Sequence, residues 1–456
     1  MAQRKGEAAT LPLWAHGESN RPIAWCAGRP VFLNEFSNQV AAMAERLPAG
    51  LAMINLCEDR YDFLVAYAAA LSAGHTVLLP HTRAPEVVAD VERTNSGSYR
   101  CDDAAVRAAT AHAGGSNPGE LVLASPEIPR DLVAMIGFTS GSTGKSRTFP
   151  KLWRSMAGSN RSNAHAIRIA LNVPETQPLW IVATVPPQHM YGMELSILLP
   201  LIGGMAVHCG RPLFPADIAS ALAEVPEPRI LVSTPVHLRA IVESSQALPP
   251  VALIVSATAP LDVPLAAAIE HKLGGRLLEM FGSTETCVFA QRNTARDEWW
   301  RLYEGVNLQP ATDGTLVDAP WFAAPTLLQD VVELRGQQEF IVRGRNTDLI
   351  EVAGKRASLA DLTRRVLAVA GVQDAVVFQP EQHSVGRIRR VAALVVAPGL
   401  TAKHVVGQLA SAVDSAFIPR PLVIVDALPR NELGKLPLGT LLRTLRQNAS
   451  DGSGGS

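Results

Sequence analysis

The stretch Ile136-Gly137-Phe138-Thr139-Ser140-Gly141-Ser142-Thr143-Gly144-Lys145-Ser146-Arg147 runs from an apolar, strand-like segment into a loop of hydroxyls and glycines that ends in cations. Glycine lets the backbone approach anionic oxygens, exposed N–H groups and hydroxyls donate to them, and a lysine adds a point charge. The chemistry this combination suits is the gripping of a polyphosphate. A Walker-type loop, Gly-x4-Gly-Lys-Ser/Thr, needs a glycine five residues before Gly144. Thr139 stands there, so the ordinary P-loop register fails although the composition is similar.

Three later stretches follow in order: Leu278-Glu279-Met280-Phe281-Gly282-Ser283-Thr284-Glu285-Thr286, then Val342-Arg343-Gly344-Arg345-Asn346-Thr347-Asp348-Leu349-Ile350, then Pro429-Arg430-Asn431-Glu432-Leu433-Gly434-Lys435-Leu436-Pro437. With the loop, they resemble the adenylate-forming (ANL) superfamily of acyl-CoA synthetases, aryl-acid ligases and peptide-synthetase adenylation domains. The matching hallmarks are a Thr-Ser-Gly-Ser/Thr-Thr-Gly loop, a Tyr/Phe-Gly-x-Thr-Glu turn, a Gly-Arg-x-x-Asp-x-Ile segment and a C-terminal Gly-Lys. Four ordered motifs are far more specific than one, and the resemblance runs from about residue 30 to about residue 446. It implies an α/β chain with a large layered α/β N-terminal domain over 1–345, which binds ATP and acid. A small mobile α+β C-terminal lid would cover 346–447, and 448–456 would be a disordered tail.

The activity implied is the AMP-forming ligation of an acid to a thiol, with ATP, Mg²⁺ and a phosphopantetheine thiol as cofactors and acceptor. By the same resemblance, Thr139, Ser140, Gly141, Ser142, Thr143, Gly144 and Lys145 wrap the departing pyrophosphate. Glu285 binds Mg²⁺, a hard cation that takes carboxylate oxygen, and Phe281, Gly282, Ser283 and Thr284 border the nucleotide. Asp330 stands where a ribose-binding acid is found, although Leu328-Gln329 replace the usual Thr-Gly before it; Arg345 reaches ribose and phosphate. Lys435 is the mobile ammonium bridging carboxylate and α-phosphate. Thr347 is the pivot and Gly354 lines a thiol tunnel, while Arg387, Arg389 and Arg390 add positive charge suited to a carrier protein or to coenzyme A.

His189, within Pro186-Pro187-Gln188-His189-Met190-Tyr191-Gly192, resembles the residue that borders the acyl site and orients the carboxylate, and Thr258 resembles a residue packed against adenine. The short segment between Glu285 and Asp330 resembles the compact AMP ligases of aryl polyene and xanthomonadin pigment pathways. That similarity implies a hydroxybenzoate-type acid and an acyl carrier protein as partner. A coenzyme A ligase for a fatty or other small acid, and a non-catalytic adenylate sensor, are the alternatives.

These residues need a frame that positions them. Helical spacing over 31–47 and 61–73, and short apolar runs at 76–80, 179–185, 230–233 and 253–256, predict alternating strands and helices in α/β layers. Beyond residue 346 the pattern predicts a helix over 358–370, strands at 374–379, 390–397 and 421–426, and a helix over 402–415. No apolar run approaches the roughly 20 residues that span a bilayer, and the N-terminus has no apolar leader core. Five scattered cysteines without a Cys-x-x-Cys pair predict reduced thiols, hence a cytoplasmic protein without a zinc site. The net charge of −1 gives no nucleic-acid surface. From Asn346 onward, 13 Lys and Arg stand against 9 Asp and Glu, a net of +4 that leaves −5 for the rest, so a small basic unit follows a larger acidic one.

Overall fold

The computed structural model describes residues 8–15, 17, 19–113, 124–139, 147–345, 349–352, 355–380, 391–410, 413–430 and 436–451. Two compact units divide the chain: residues 1–307 with 318–326, and residues 308–317 with 327–456.

The first unit is built on two sheets. In one, Ala52–Asn55 lies between Ser98–Cys101 and Thr76–Leu79, and Val133–Thr139 follows on the far side of Thr76–Leu79, all parallel. Arg147–Leu152 turns back antiparallel on Val133–Thr139, with Thr139 opposite Arg147 and Met135 opposite Lys151. Thr139 and Arg147, the described residues on either side of the candidate phosphate loop, are therefore paired at one end of this sheet.

In the other sheet, Pro22–Cys26, Ala206–His208, Trp180–Ala183, Arg229–Ser233, Leu253–Ser256 and Arg276–Ser283 run side by side in parallel. Antiparallel strands Arg29–Phe32, Cys287–Arg292 and Trp300–Leu302 extend it. Leu231, Ile254 and Val255 have no exposed surface, as expected of parallel strands covered on both faces.

Helices follow the local signals. Asp59 caps Arg60–Ser72 by accepting from the N–H groups of Tyr61 and Asp62 at 2.8 and 3.1 Å. That helix is apolar all round and buried along almost its whole length. Trp153–Leu171 ends on Asn172 in the left-handed conformation, φ 55°, a common C-terminal stop. The helix predicted over 31–47 is Leu33–Ala44 instead, because Val31 and Phe32 pair with the Pro22–Cys26 strand. Pairing in a sheet won over the helical spacing at those two positions.

In the second unit, Asp330–Arg335 and Glu339–Arg345 form an antiparallel hairpin. Leu359–Leu367 and Ala402–Leu409 pack on a sheet of Asp374–Phe378, Ala392–Val396 and Leu422–Ile424. Ser358 caps the first of these helices through the Asp361 N–H, as the Ser-Leu-Ala-Asp phrase predicts. The second helix stops at Leu409, short of the predicted 415. Among the described residues no helix is long and apolar enough to cross a membrane. All five cysteines are free.

Candidate active site

Glu285 sits in a tight turn between Arg276–Ser283 and Cys287–Arg292. Short polar side chains build that turn. The Ser283 N–H donates to Thr286 Oγ1 at 3.0 Å, while the N–H groups of Glu285 and Thr286 both donate to Ser283 Oγ at 3.2 Å. Hydroxyl-to-backbone bonds of this kind define turns without help from a ladder. Gly282 is obligatory: a Cβ there would lie 2.1 Å from the Cys287 carbonyl oxygen. Cys287 itself has φ 58°, in the left-handed region.

The phosphate hairpin meets this turn. The buried Lys151, on the returning strand, donates its ammonium to the Glu285 carbonyl. On the other strand, a Cβ at Gly137 would lie 3.9 Å from Thr284 Cγ2. Folding has thus brought the ends of two motifs, nearly 150 residues apart in sequence, into contact. Glu285, Thr284 and Ser283 are each half-buried, and all three offer oxygen donors. No group of three His, Cys, Asp or Glu capable of holding a metal occurs among the described residues. One carboxylate with hydroxyls suits Mg²⁺, which keeps several waters and takes oxygens from substrate phosphates, better than it suits a metal caged by protein ligands.

His189 and Thr258 also lie at carboxyl ends of parallel strands, the edge where open α/β sheets bind ligands. His189 follows the Trp180–Ala183 strand and immediately precedes a single helical turn, Met190–Gly192. The hydroxyl of Tyr191, two residues on, lies 3.0 and 2.9 Å from the carbonyl oxygens of Ser233 and Val255, which share its one hydrogen. This lays the His189 segment across the ends of the next two strands, toward Thr258, whose φ of 81° marks a forced backbone. Phe281 packs against Phe289 and Trp300, with ring centroids 5.5 and 5.0 Å away. In the second unit, buried Asp330 stands opposite Arg345 in the hairpin register, and its carbonyl accepts the Thr315 hydroxyl at 2.8 Å. Ser140, Gly141, Ser142, Thr143, Gly144, Lys145, Thr347, Gly354, Arg387, Arg389, Arg390 and Lys435 lie outside the described residues.

Several supporting residues escape a sequence reading. Arg60 has no exposed surface and donates to the carbonyls of Ala183 and Val185, both at 2.9 Å, fixing the chain as it leaves the strand toward His189. Burial, with Arg211 nearby, lowers its pKa to about 9. His237 Nδ1 lies 3.0 Å from Thr234 Oγ1 and 3.2 Å from Thr184 Oγ1, and burial, then Arg211, lowers its pKa. The available signal for Lys151 was a lysine set between apolar Phe149-Pro150 and Leu152; for Arg60 it was an arginine opening an apolar helix.

The family model for AMP-binding enzymes matches residues 72–319, more than half of the chain. A 4-coumarate–CoA ligase from Rhodobacter capsulatus is 30% identical over 240 residues, which are 52% of this chain and 58% of that relative, so little more than half of the relative's length is spanned. A second 4-coumarate–CoA ligase, from Halorhodospira halophila, is 26% identical over 306 residues, covering 65% of this chain and 73% of its own. Among solved structures, an o-succinylbenzoate coenzyme A synthetase from Bacillus subtilis in complex with AMP superposes with a TM-score of 0.75 at 18% identity, covering 93% of this chain and 96% of that one. At that identity the likeness speaks to the fold alone.

Proposed function

From the premise that this chain belongs to the family of AMP-binding enzymes, we propose that it ligates a small carboxylic acid to a phosphopantetheine thiol through an acyl-adenylate. A carboxylate oxygen of the acid attacks the α-phosphorus of ATP, the bond from that phosphorus to the bridging oxygen of the β-phosphate breaks, and pyrophosphate leaves. The thiol sulfur then attacks the acyl carbon, AMP departs with the former carboxylate oxygen, and the thiol proton passes to solvent.

Displacement at phosphorus asks the protein mainly to position reactants and stabilise charge. In this reading the loop 139–145 holds the β- and γ-phosphates with backbone N–H groups, hydroxyls and Lys145. Glu285, with the hydroxyls beside it, holds Mg²⁺ on the phosphates, and when bound that ion neutralises their charge. His189 orients the acid, Thr258 and Phe281 border the adenine, and Asp330 and Arg345 take the ribose. Lys435 comes in from the small lobe, which we take to pivot at Thr347, and places its ammonium between the attacking carboxylate and the α-phosphate. Gly354 then leaves room for the pantetheine arm.

The observation that carries this reading is the contact of the phosphate hairpin with the Glu285 turn through Lys151. The acid we favour is aryl, of hydroxybenzoate type. The acceptor we favour is an acyl carrier protein in the cytoplasm; relatives named as CoA ligases support coenzyme A as the second reading. Pyrophosphate release with a panel of aryl and fatty acids tests the first step, and repeating it with coenzyme A or a phosphopantetheinylated carrier identifies the acceptor. No release with any acid would leave a protein that binds adenylate without making it.

A further inference from the structure

The Glu285 turn is gripped from both sides by buried ionisable groups that the reaction above does not use. Lys151 takes the carbonyl of Glu285. Three residues later, the N–H of Val288 donates to both carboxylate oxygens of Glu194, at 3.2 and 3.1 Å. Glu194 is only 1% exposed, in the wide helical turn Met193–Leu198 that follows the His189 segment. Its Oε2 also accepts the Ser159 hydroxyl at 2.8 Å and the Asn163 amide at 3.2 Å. Asn163 is fixed in turn by the Tyr303 hydroxyl at 2.9 Å, and Asn160 donates to the Glu194 backbone carbonyl at 2.6 Å.

The Val288 N–H, the Ser159 hydroxyl and the Asn163 amide all donate to the carboxylate, so that set is built for an acceptor. Burial raises the Glu194 pKa; the Ser159, Val288 and Asn163 donors and the Lys151 charge oppose it. A buried acid costs stability unless its oxygens are well met, as these are. What the acid adds is a hold on backbone. It meets the chain beside Cys287, whose φ of 58° is strained for a residue with a side chain. Ser159 Oγ also lies 2.9 Å from the Val288 carbonyl, which shares the one hydroxyl hydrogen with the carboxylate.

We propose that Glu194 is a positioning residue: with Lys151 it clamps residues 285–288 in the one turn conformation that presents the Glu285 carboxylate to metal-bound nucleotide. The inference rests on the reading of Glu285 given above, and extends it to a residue that touches neither metal nor substrate.

The test is binding, independent of turnover. Mn²⁺ affinity is measured by electron paramagnetic resonance of the free ion with ATP saturating, for wild type, Glu194→Gln and Ser159→Ala. ATP affinity in EDTA is measured beside it by calorimetry, and folding by cooperative thermal unfolding. Glutamine removes the charge and turns the oxygen that meets only the Val288 N–H into a donor facing that donor. Mn²⁺ binding should weaken about tenfold in Glu194→Gln and about threefold in Ser159→Ala, the scale of one or part of one charged hydrogen bond, with metal-free ATP affinity held within about twofold. Unchanged Mn²⁺ affinity in a folded Glu194→Gln, or equal weakening of both affinities, overturns the clamp while leaving the functional reading intact. Should Glu194→Gln not fold, the same criteria applied to Ser159→Ala decide. If wild type binds no Mn·ATP at all, the functional reading falls and this inference with it.

Discussion

The ammonium of Lys151 donates to the carbonyl of Glu285, joining the strand that returns from the phosphate loop to the turn that carries the candidate metal carboxylate. Lys151 is 6% exposed, so this charge-assisted bond is made away from water. Replacing it by methionine keeps most of the stem but removes the donor. A bond of this type is worth about 1.5–3 kcal/mol, so the KM for Mg·ATP in pyrophosphate release should rise between about tenfold and a hundredfold. An unchanged KM would mean that the hairpin and the turn do not depend on each other.

Glu285→Gln preserves shape and removes the charge. We expect the Mg²⁺ concentration needed for half-maximal pyrophosphate release to rise at least about tenfold, the loss of a carboxylate ligand to a hard cation. Full activity at the wild-type Mg²⁺ requirement removes Glu285 from the metal site.

Lys435→Ala separates the two half-reactions. Adenylation of free acid should fall by about a hundredfold or more, the weight of a preorganised charge at a developing anion. Transfer to the thiol from preformed acyl-adenylate should stay near wild type. Equal loss of both steps refutes the assignment of a lysine that swings in for the first step alone.

Arg60 tests the scaffold rather than the chemistry. Arg60→Met leaves the carbonyls of Ala183 and Val185 without their buried donor, which should cost about 2–4 kcal/mol of unfolding free energy. The midpoint of urea denaturation measures it, and a shift below about 0.5 kcal/mol would contradict the pinning role. Lysine should rescue only in part, since one ammonium can meet the two carbonyls that Nη2 meets but not also the Ser196 hydroxyl that Nη1 meets.

His237 supplies a pH signature. Burial lowers its pKa in the folded state, so the unfolded chain, with an ordinary histidine near 6.5, binds the proton first as pH falls. The stability it contributes is complete above about pH 6.5 and is lost as pH drops through the lowered folded value. Relative to His237→Asn, wild type should therefore lose denaturation midpoint between pH 7 and pH 5. A parallel decline of the two proteins would show that this imidazole is not held neutral by the fold.

Much of the frame is legible in the residues. The short apolar runs at 230–233 and 253–256 are strands, as their length and pattern predict, and Ser358 caps its helix through Asp361. Where the reading slipped, at Val31 and Phe32, a neighbouring strand claimed residues whose spacing also fitted a helix. Within the candidate site, Thr284 and Glu285 announce themselves by the Phe-Gly-Ser-Thr-Glu phrase. Glu194, Lys151 and Arg60 do not, because their partners are backbone groups dozens to more than a hundred residues away.

The sequence by itself determined which side chains could grip phosphate, hold a hard cation and offset charge, because those capacities belong to residue types and to short spacings that local turns can satisfy. Tertiary structure alone decided that the Gly137–Thr139 strand end approaches Thr284, that a tyrosine hydroxyl ties the His189 segment to two neighbouring strand ends, and that Glu194 and Lys151 hold the same turn. Those are long-range contacts selected by burial: once desolvated, each polar group must find a partner wherever the packed chain supplies one.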